Sequence, residues 1–413
     1  MSALRQNFRH WWQPPKRLAD REAERSVTFL ELFYDLVYVV IIAELAHALA
    51  GNVSWTSVGQ FAFLFAIVWW AWLNGSLYHD LHGNNDIRTR VFTFLQMGSV
   101  AAMAVFAHDA MGESSTGFAL SYAAFQLILL VLWWRTGVHD PAHRPLSQPY
   151  AVVYLITTLL FAASVVVMAP LRFYLWGIAV FASLQMPLYM STLGRNNPAI
   201  QAQIDLSTAV SPSLVERFGL LTIIVLGEVI AGTIRGLAEH PQLNWEAGIT
   251  AVLGMGIAIG IWWFYFDAIS QHSPRPGRKM TLTWMFLHLP LTIGIVAVGA
   301  AVLNVVENAG EALPLAVRWL LVGACALVLV IIPLLMETIL ISEAHRPLYD
   351  RGRRAGLAAA VLIALLGFTS LDAIPLLIGV SLLLLAPVFY TLLAWIELVG
   401  KAAEDNVSGA AKS

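Results

Sequence analysis

The sequence predicts an all-α polytopic membrane protein with about twelve transmembrane helices. Hydrophobic residues make up 58% of the 413 residues and charged residues only 12%, whereas soluble domains average about 25% charged residues. Apolar runs of roughly 20 residues, the length of helix that crosses a bilayer, recur between Gly, Pro and charged clusters. The lipid bilayer is therefore an expected partner. The net charge of -2 provides no basic field, so no nucleic-acid partner is expected.

The segment that precedes the first apolar run is polar and basic. Residues 1–28 contain no separate short apolar stretch, so we predict a cytoplasmic N-terminal segment and no cleaved signal peptide. Cys325 is the one cysteine of the chain, which excludes an internal disulfide and a cysteine-based metal cluster.

The chain divides into twelve candidate spans. Their approximate limits are 29–49, 58–79, 91–110, 117–134, 150–169, 171–193, 213–234, 246–270, 281–305, 315–340, 355–371 and 374–398. The first six spans form a half at 29–193, and the last six form a half at 213–398. A cytoplasmic linker at 194–212 joins the halves, and a cytoplasmic tail follows at 399–413. Very short loops near Pro170 and Asp372 leave one alternative open, ten spans with two re-entrant segments.

Positive residues predict the orientation of these spans, because Lys and Arg in short loops stay on the cytoplasmic side. With twelve spans, all of the 24 Lys and Arg residues except Arg172, Arg235 and Arg318 fall on one side of the membrane. The asymmetry predicts that both termini are cytoplasmic.

The two halves contain short matching sequence segments in the same order. The seventh span aligns with the first, which pairs Glu216 with Glu31, and the paired tryptophans of the eighth span align with those of the second. The word AHRP follows both the fourth and the tenth span. An internal repeat of six spans is the simplest account. Because six is even, the halves are expected to be parallel, as in major facilitator transporters; the alternative is that duplication records ancestry alone.

Polar side chains within the spans are the candidate site. A charged side chain near the bilayer centre costs about 2.5 to 3.5 kcal/mol on insertion scales, so such residues face the bundle interior, pair or line water. The proton-coupling or substrate-site candidates are Glu31, Asp35, Glu216, Arg217, Glu228, Asp267, His288 and Glu337, and the secondary candidates are Glu44, His47, Asn74, His79 and His272. Helix capping or topology anchoring explains Glu31, Glu216, His79 and His272 as well as function does. Function is favoured for those expected deeper in the spans, Asp35, Glu228, Asp267, His288 and Glu337.

Motifs of catalytic and cofactor chemistry are missing from the sequence. It contains no HExxH, no G-x-S-x-G and no glycine-rich phosphate loop. The loop YHDLHGNND, residues 78–86, offers histidines and aspartates, but such residues are common in solvated loops. We therefore predict no cofactor, no metal and no catalytic residue.

Four tryptophans lie too far inside their spans for an interfacial belt. These are Trp69, Trp70, Trp262 and Trp263. Packing within the bundle is the favoured interpretation, and lining of a substrate pocket is the alternative.

The motif ELFYDLVYVV in the first span and the motif ERFGLLTIIVLGE in the seventh together resemble the bacterial low temperature requirement A (LtrA) family of membrane proteins. The resemblance covers nearly the whole chain and implies a polytopic protein of the bacterial cytoplasmic (inner) membrane. The residues that the family pattern marks are Glu31, Asp35, Glu216, Arg217, Phe218, Gly219, Gly227 and Glu228. It implies no particular activity or substrate.

The leading functional hypothesis is a proton-coupled secondary transporter of an unidentified small solute. Asp35 and Glu228 are the proton-coupling candidates, and Arg217 or His288 is expected to hold their partner or the substrate. A cation channel, an intramembrane enzyme acting on a lipid or isoprenoid, and a structural or regulatory role remain as alternatives. Oligomeric state is not predicted.

Overall fold

The computed structural model consists of α-helices joined mostly by short connections. It describes residues 13–20, 25–195, 197–240 and 244–410, with only the backbone described for residue 394 and for residues 397–410. Among these residues no β-strand occurs, and an isolated antiparallel bridge joins Pro274 and Ile339. The predicted all-α class is confirmed.

The helices of the first part of the chain follow a 3-10 turn at Leu18–Asp20. They are α1 (Phe29–Gly51), α2 (Trp55–His82), α3 (Ile87–Ala107), α4 (Ser115–His139), α5 (Arg144–Ser164), α6 (Leu171–Leu184), α7 (Met186–Arg195) and α8 (Pro198–Thr208). The later helices are α9 (Pro212–Glu239), α10 (Trp245–Ala268), α11 (Arg278–Glu307), α12 (Leu315–Met336), α13 (Arg346–Leu366) and α14 (Ala373–Ala410).

The described residues form two compact units. The first contains the residues up to Asn52 together with Thr56–Leu221, and the second contains Val53–Trp55 and the residues from Thr222 onward. Helix α9 therefore contributes its first ten residues, Pro212–Leu221, to the first unit and the rest to the second. The predicted domain boundaries stay a prediction.

Helices occupy all twelve predicted spans, with three differences in detail. The sixth predicted span consists of two helices, α6 and α7, which separate at Gln185 just before Pro187. Proline removes a backbone donor and clashes with the preceding turn, which accounts for the break. Helix α13 begins at Arg346, ahead of the predicted start at residue 355, and α14 continues to Ala410, into the predicted tail.

Helix α8 lies in the segment that we predicted as a linker. Asn197 begins it, because its side-chain Oδ1 accepts hydrogen bonds from the backbone N–H groups of Ala199 (3.0 Å) and Ile200 (3.3 Å). Pro198 occupies the first helical position, where its missing N–H costs nothing. Asparagine at the N-cap followed by proline is the start signal that the sequence contained.

Long apolar stretches among the described residues support a membrane location. Nine of them are long and apolar enough to cross a bilayer. They are Trp55–His82, Ile87–Ala107, Ser115–His139, Arg144–Ser164, Leu171–Arg195, Trp245–Ala268, Arg278–Glu307, Leu315–Met336 and Ala373–Leu393. Helices α1, α9 and α13 are outside this set, so the count of twelve spans stays a prediction.

Exposed apolar side chains on α6 also support a membrane location. Leu171, Tyr174, Ile178 and Phe181 of α6 are each more than half exposed, at 62%, 64%, 57% and 65%. Their spacing of three and four residues places them on one helical face. A continuous apolar stripe open to the surroundings is unfavourable in water and favourable in hydrocarbon.

Asp86 caps α3 and also contacts the N-terminal segment. Its Oδ1 accepts from the backbone N–H (3.1 Å) and the hydroxyl (2.6 Å) of Thr89, and its Oδ2 accepts from the backbone N–H of Gln13 (2.9 Å). Burial raises the pKa of Asp86, but the Thr89 hydrogen bonds and the charge of Arg88 outweigh burial and lower the pKa below its ordinary value.

Replacing this cap should cost stability in a pH-dependent way. We expect Asp86→Ala to lower the free energy of unfolding by about 1 to 2 kcal/mol at neutral pH. A lowered folded pKa means that the contribution is complete above about pH 4 and is lost as the pH falls through the folded value. The apparent melting temperatures of both proteins in detergent should therefore converge as the pH is lowered. A difference that persists unchanged in acid would contradict an ionic cap.

Candidate functional site

The N-terminus of α1 is held by a capping box. Thr28 is the N-cap, and its backbone N–H donates to Oε2 of Glu31 (2.9 Å), while the backbone N–H of Glu31 donates back to the Thr28 hydroxyl (3.4 Å). This reciprocal pair satisfies two donors that a helix start leaves open. The capping role predicted as one interpretation of Glu31 is present, and it orients this carboxylate.

The start of α9 is held in a similar way. Ser211 precedes Pro212, and its hydroxyl accepts from the backbone N–H of Leu214 (3.0 Å) and donates to Oδ1 of Asp80 in α2 (2.5 Å). The cap therefore ties the first turn of α9 to α2. One turn later, this helix carries Arg217.

Arg217 and Asp35 form a buried bidentate ion pair within the first unit. Nη2 of Arg217 donates to Oδ1 of Asp35 at 2.5 Å, and Nε donates to Oδ2 at 3.2 Å. The indole Nε1 of Trp72 donates to the same Oδ1 at 2.8 Å. Both charged side chains are almost fully buried, with exposures of 0% for Arg217 and 1% for Asp35. Two parallel hydrogen bonds are the strongest way to join these groups.

Glu31 extends the pair into a network of four charges. Its Oε1 lies 3.9 Å from Nη1 of Arg217 and accepts a 2.5 Å hydrogen bond from Nη2 of Arg25. Arg25 also donates from Nη1 to the backbone carbonyl of His79 (3.1 Å). Two carboxylates thus face two guanidinium groups, so the network is neutral when every member is ionised. Nη1 of Arg217 has no hydrogen-bond partner among the described residues.

Aromatic rings surround the guanidinium of Arg217. Its Cζ lies 5.4 Å from the ring centroid of Tyr34 and 5.9 Å from that of Trp72, within cation–π range. The hydroxyl of Tyr34 lies 2.9 Å from that of Tyr38. Gly75 leaves room for Tyr34, because a Cβ at Gly75 would lie 2.0 Å from the Tyr34 hydroxyl oxygen. Sequence reasoning missed Tyr34 and Trp72 as members of the site, although Tyr34 stands beside Asp35 in the motif FYD.

Two secondary candidates of α2 are buried near this network but have partners of their own. Nε2 of His79 lies 2.9 Å from the hydroxyl of Thr93. Asn74 donates to the carbonyl of Trp70 (2.7 Å) and accepts from the hydroxyl of Tyr154 (2.6 Å). The structure accordingly places His79 and Asn74 in hydrogen-bonded positions of the helical core.

Three further candidates of the first unit lie outside the network. Glu216 is exposed although it neighbours Arg217, and it accepts a 3.4 Å hydrogen bond from the backbone N–H of Val27. Glu44 is half-buried and His47 is exposed, with the His47 ring 5.8 Å from that of His108. Glu44 and His47 are therefore not members of the network that contains Glu31 and Asp35.

In the second unit, His288 and Glu228 are buried. Nδ1 of His288 donates to the carbonyl of Trp284 (2.7 Å), so in the neutral ring Nε2 accepts from the hydroxyl of Tyr265 (3.0 Å). Glu228 is 6% exposed, and among the described residues no hydrogen bond to its carboxylate is observed. The contacts of His288 with Trp284 and Tyr265 do not include Glu228, although His288 was one of the two residues expected to contact a proton-coupling carboxylate or the substrate.

Asp267 and Glu337 differ from the expectation that they lie deep within the spans. Asp267 lies in the last turn of α10 and is exposed, and Glu337 is the residue that ends α12 and pairs with Arg353. His272, four residues after α10, lies 3.1 Å from the hydroxyl of Tyr349. Sequence position alone did not show that both helices end at these carboxylates.

The geometry of the His, Asp and Glu side chains bears on metal ligation. Among the described residues, no group of three or more His, Cys, Asp or Glu side chains is placed to hold a metal ion. Nδ1 of His82, the last residue of α2, lies 2.9 Å from the carbonyl oxygen of Lys16, and Asp86 in the following loop acts as a helix cap.

Long apolar helices and a buried, charge-paired network define an α-helical membrane protein with a buried ionic network. The model of the bacterial low temperature requirement A protein (LtrA) family matches residues 26–395, and the chain belongs to this family. It is also 25% identical over 311 residues to the uncharacterized protein RA0937 of Rhizobium meliloti (strain 1021). The matched region covers 71% of this chain and 72% of the relative. No solved structure matches the chain.

Proposed function

We propose that this LtrA family protein is a proton-coupled secondary transporter of a small solute in the bacterial inner membrane. The proposal includes twelve spans in two parallel six-helix repeats with both termini in the cytoplasm. The buried residues among the candidates listed above supply its proton and solute sites, with Asp35 and Arg217 at the centre.

The position of Arg217 between two carboxylates is the observation that carries the proposal. Its guanidinium is hydrogen-bonded to Asp35, while its free Nη1 faces Glu31 at 3.9 Å. A proton that binds Asp35 removes the negative charge that holds Nη2 and Nε, and Glu31 becomes the stronger partner. Arg217 thus has two discrete partners, and the occupancy of a proton selects between them. Such a two-state element is what coupling requires.

The same pairing favours a transporter over the cation-channel alternative. Acidic residues attract ions to a pore when their charge is not already neutralised. The Asp35 carboxylate accepts three hydrogen bonds, two from Arg217 and one from Trp72. A carboxylate already neutralised in this way is a poor attractor of metal cations, and a proton binds it only in competition with the guanidinium of Arg217.

Proton movement in liposomes tests the proposal. The full chain is reconstituted with a pH-sensitive dye inside, an inward proton gradient is imposed, and fractions of bacterial small-molecule extract are added outside. We expect at least one fraction to accelerate acidification of the lumen, and we expect the neutral pair Asp35→Asn with Arg217→Gln to abolish this acceleration. The neutral pair leaves no unpaired charge and is therefore expected to fold.

Glu216→Gln is the matched control, because Glu216 adjoins Arg217 in sequence but is exposed. It should transport like the unaltered protein. The proposal fails if no fraction moves protons through the unaltered protein, or if the neutral pair moves them equally fast.

A further inference from the structure

A cavity of about 380 Å³ lies within the second unit, at the ends of α10 and α12 and beside α13 and α14. Its volume is in the range of small-molecule sites, which are roughly 300 to 1,000 Å³. Most of its wall is apolar, with few polar groups, and this composition is also typical of such sites. The cavity involves residues that the ion-pair network does not use.

Aromatic side chains from three helices form much of the wall. Trp263 comes from α10, Tyr349 from α13 and Trp395 from α14. The faces of aromatic rings carry negative potential and attract cations within about 6 Å, most strongly for tryptophan. For Trp263, lining of a pocket is therefore the better interpretation than packing, whereas its neighbour Trp262 does not line the cavity and is 47% exposed.

Asp267 provides the negative charge of the cavity. It is the acidic residue among those that line it, and none of the lining residues is basic. Its carboxylate has no hydrogen bond or ion pair with any described residue, in contrast to Glu337, which pairs with Arg353. The side chain is exposed at the end of α10 and available to a ligand.

Tyr349 adds a neutral hydroxyl beside Asp267. Burial and then the negative charge of Asp267 raise the pKa of Tyr349 to about 12, so its hydroxyl keeps its proton at physiological pH. Nε2 of His272 lies 3.1 Å from this hydroxyl oxygen and orients it. The charge of the cavity is therefore that of Asp267.

The position of α13 shapes the cavity. A Cβ at Gly352 would lie 3.1 Å from the hydroxyl oxygen of Thr391, a lining residue, and a Cβ at Gly356 would lie 2.9 Å from Cγ of Pro333. Both glycines face their neighbours at close approach, four residues apart on one side of α13. The cavity is thus set by helix packing.

We propose that this cavity binds an organic cation with a quaternary or primary ammonium head group, which Asp267 neutralises and the rings of Trp263, Tyr349 and Trp395 surround. A metal ion would find one carboxylate where it needs several oxygen ligands. An anion would meet Asp267 with no basic residue to offset it. The ammonium group belongs either to a free amine or to a phospholipid head group.

Equilibrium binding tests this proposal on the full chain in an uncharged sugar detergent. The probes are radiolabelled choline, tetramethylammonium and ethanolamine. We expect saturable binding of at least one probe, weakened about tenfold or more by Asp267→Asn and by Trp263→Leu. Competition with 3,3-dimethylbutan-1-ol, in which carbon replaces the choline nitrogen, should be at least about tenfold weaker than competition with unlabelled choline.

Two matched variants control for nonspecific effects. Trp262→Leu changes the neighbouring tryptophan, and Glu246→Gln changes an acidic residue at the opposite end of α10; both should bind like the unaltered protein. The proposal is overturned if no probe binds saturably, if the neutral alcohol competes as well as choline, or if Asp267→Asn binds unchanged.

A short-chain phosphatidylcholine added as competitor distinguishes the two sources of the ammonium group. If this lipid displaces labelled choline at a lower concentration than unlabelled choline does, the site takes a lipid head group. If the lipid needs a higher concentration, the site takes a free amine. Both outcomes support the cation site. The measurement needs no proton gradient, so its failure leaves the transport proposal standing, and the failure of transport leaves this site standing.

Discussion

Replacing Asp35 with Ala should destabilise the protein by about 3 to 5 kcal/mol, because it leaves the guanidinium of Arg217 buried without its main counter-charge. Arg217 is 0% exposed and has no access to water that could replace Asp35. Its remaining carboxylate, Glu31, is 3.9 Å away and already accepts from Arg25. The apparent melting temperature in detergent, determined from the loss of the monodisperse peak, measures the effect.

The double variant Asp35→Leu with Arg217→Met separates pairing from packing. A buried ion pair replaced on both sides by apolar residues of similar volume is often neutral for stability, so the double variant should recover most of the loss. Glu216→Gln should stay within about 0.5 kcal/mol of the unaltered protein, as is usual for an exposed site. Additive losses in the double variant would show that the two residues act independently.

Replacing Gly232 or Gly236 with Ala should destabilise the second unit by about 1 to 3 kcal/mol each, the usual range for overpacking. These residues form a G-x-x-x-G pattern on α9, and small residues at this spacing allow helices to approach closely. A Cβ at Gly232 would lie 2.3 Å from the carbonyl oxygen of Gly299 in α11, and one at Gly236 would lie 2.6 Å from that of Leu303. Backbone atoms of α11 cannot move aside as a flexible side chain can.

Gly227 on the same helix is the control for this prediction. A Cβ there would meet nothing within 4 Å, and alanine favours a helix over glycine by up to about 1 kcal/mol. Gly227→Ala should therefore be neutral or stabilising, opposite in sign to Gly232→Ala. Equal losses at both positions, measured by thermal unfolding in detergent, would contradict the close crossing of α9 and α11.

Part of the site could be predicted because charge in an apolar helix is conspicuous. Asp35 and Arg217 are expensive in a bilayer unless paired, which made each a candidate, and Arg217 was one of two partners considered. The choice between Arg217 and His288 needed the structure, because both residues lie far from Asp35 in the sequence and no local pattern pairs either of them with it. His288 instead contacts Tyr265 and Trp284.

Other members of the site carry no signal in the sequence. Trp72 donates to Asp35, whereas Trp69 and Trp70, three and two residues earlier on α2, do not. Helical periodicity places Trp69 and Trp72 on one face and Trp70 on another, but it does not say which face meets α1 or which indole reaches Asp35. The role of Asp267 likewise has no signal in the sequence, because only the packing of α13 and α14 near the end of α10 creates a cavity beside its carboxylate.

The class of protein, the approximate location of its spans and the set of ionisable residues that a membrane must accommodate could all be predicted from the sequence. These follow from local properties, namely hydrophobic length, helical period and capping residues, which act over a few turns of one segment. Helix packing brings Arg217 to Asp35 and Glu31, and it places Asp267 beside aromatic rings with no ion pair to any described residue. Such pairings join residues far apart in the chain, and they depend on how helices pack, which no single segment specifies.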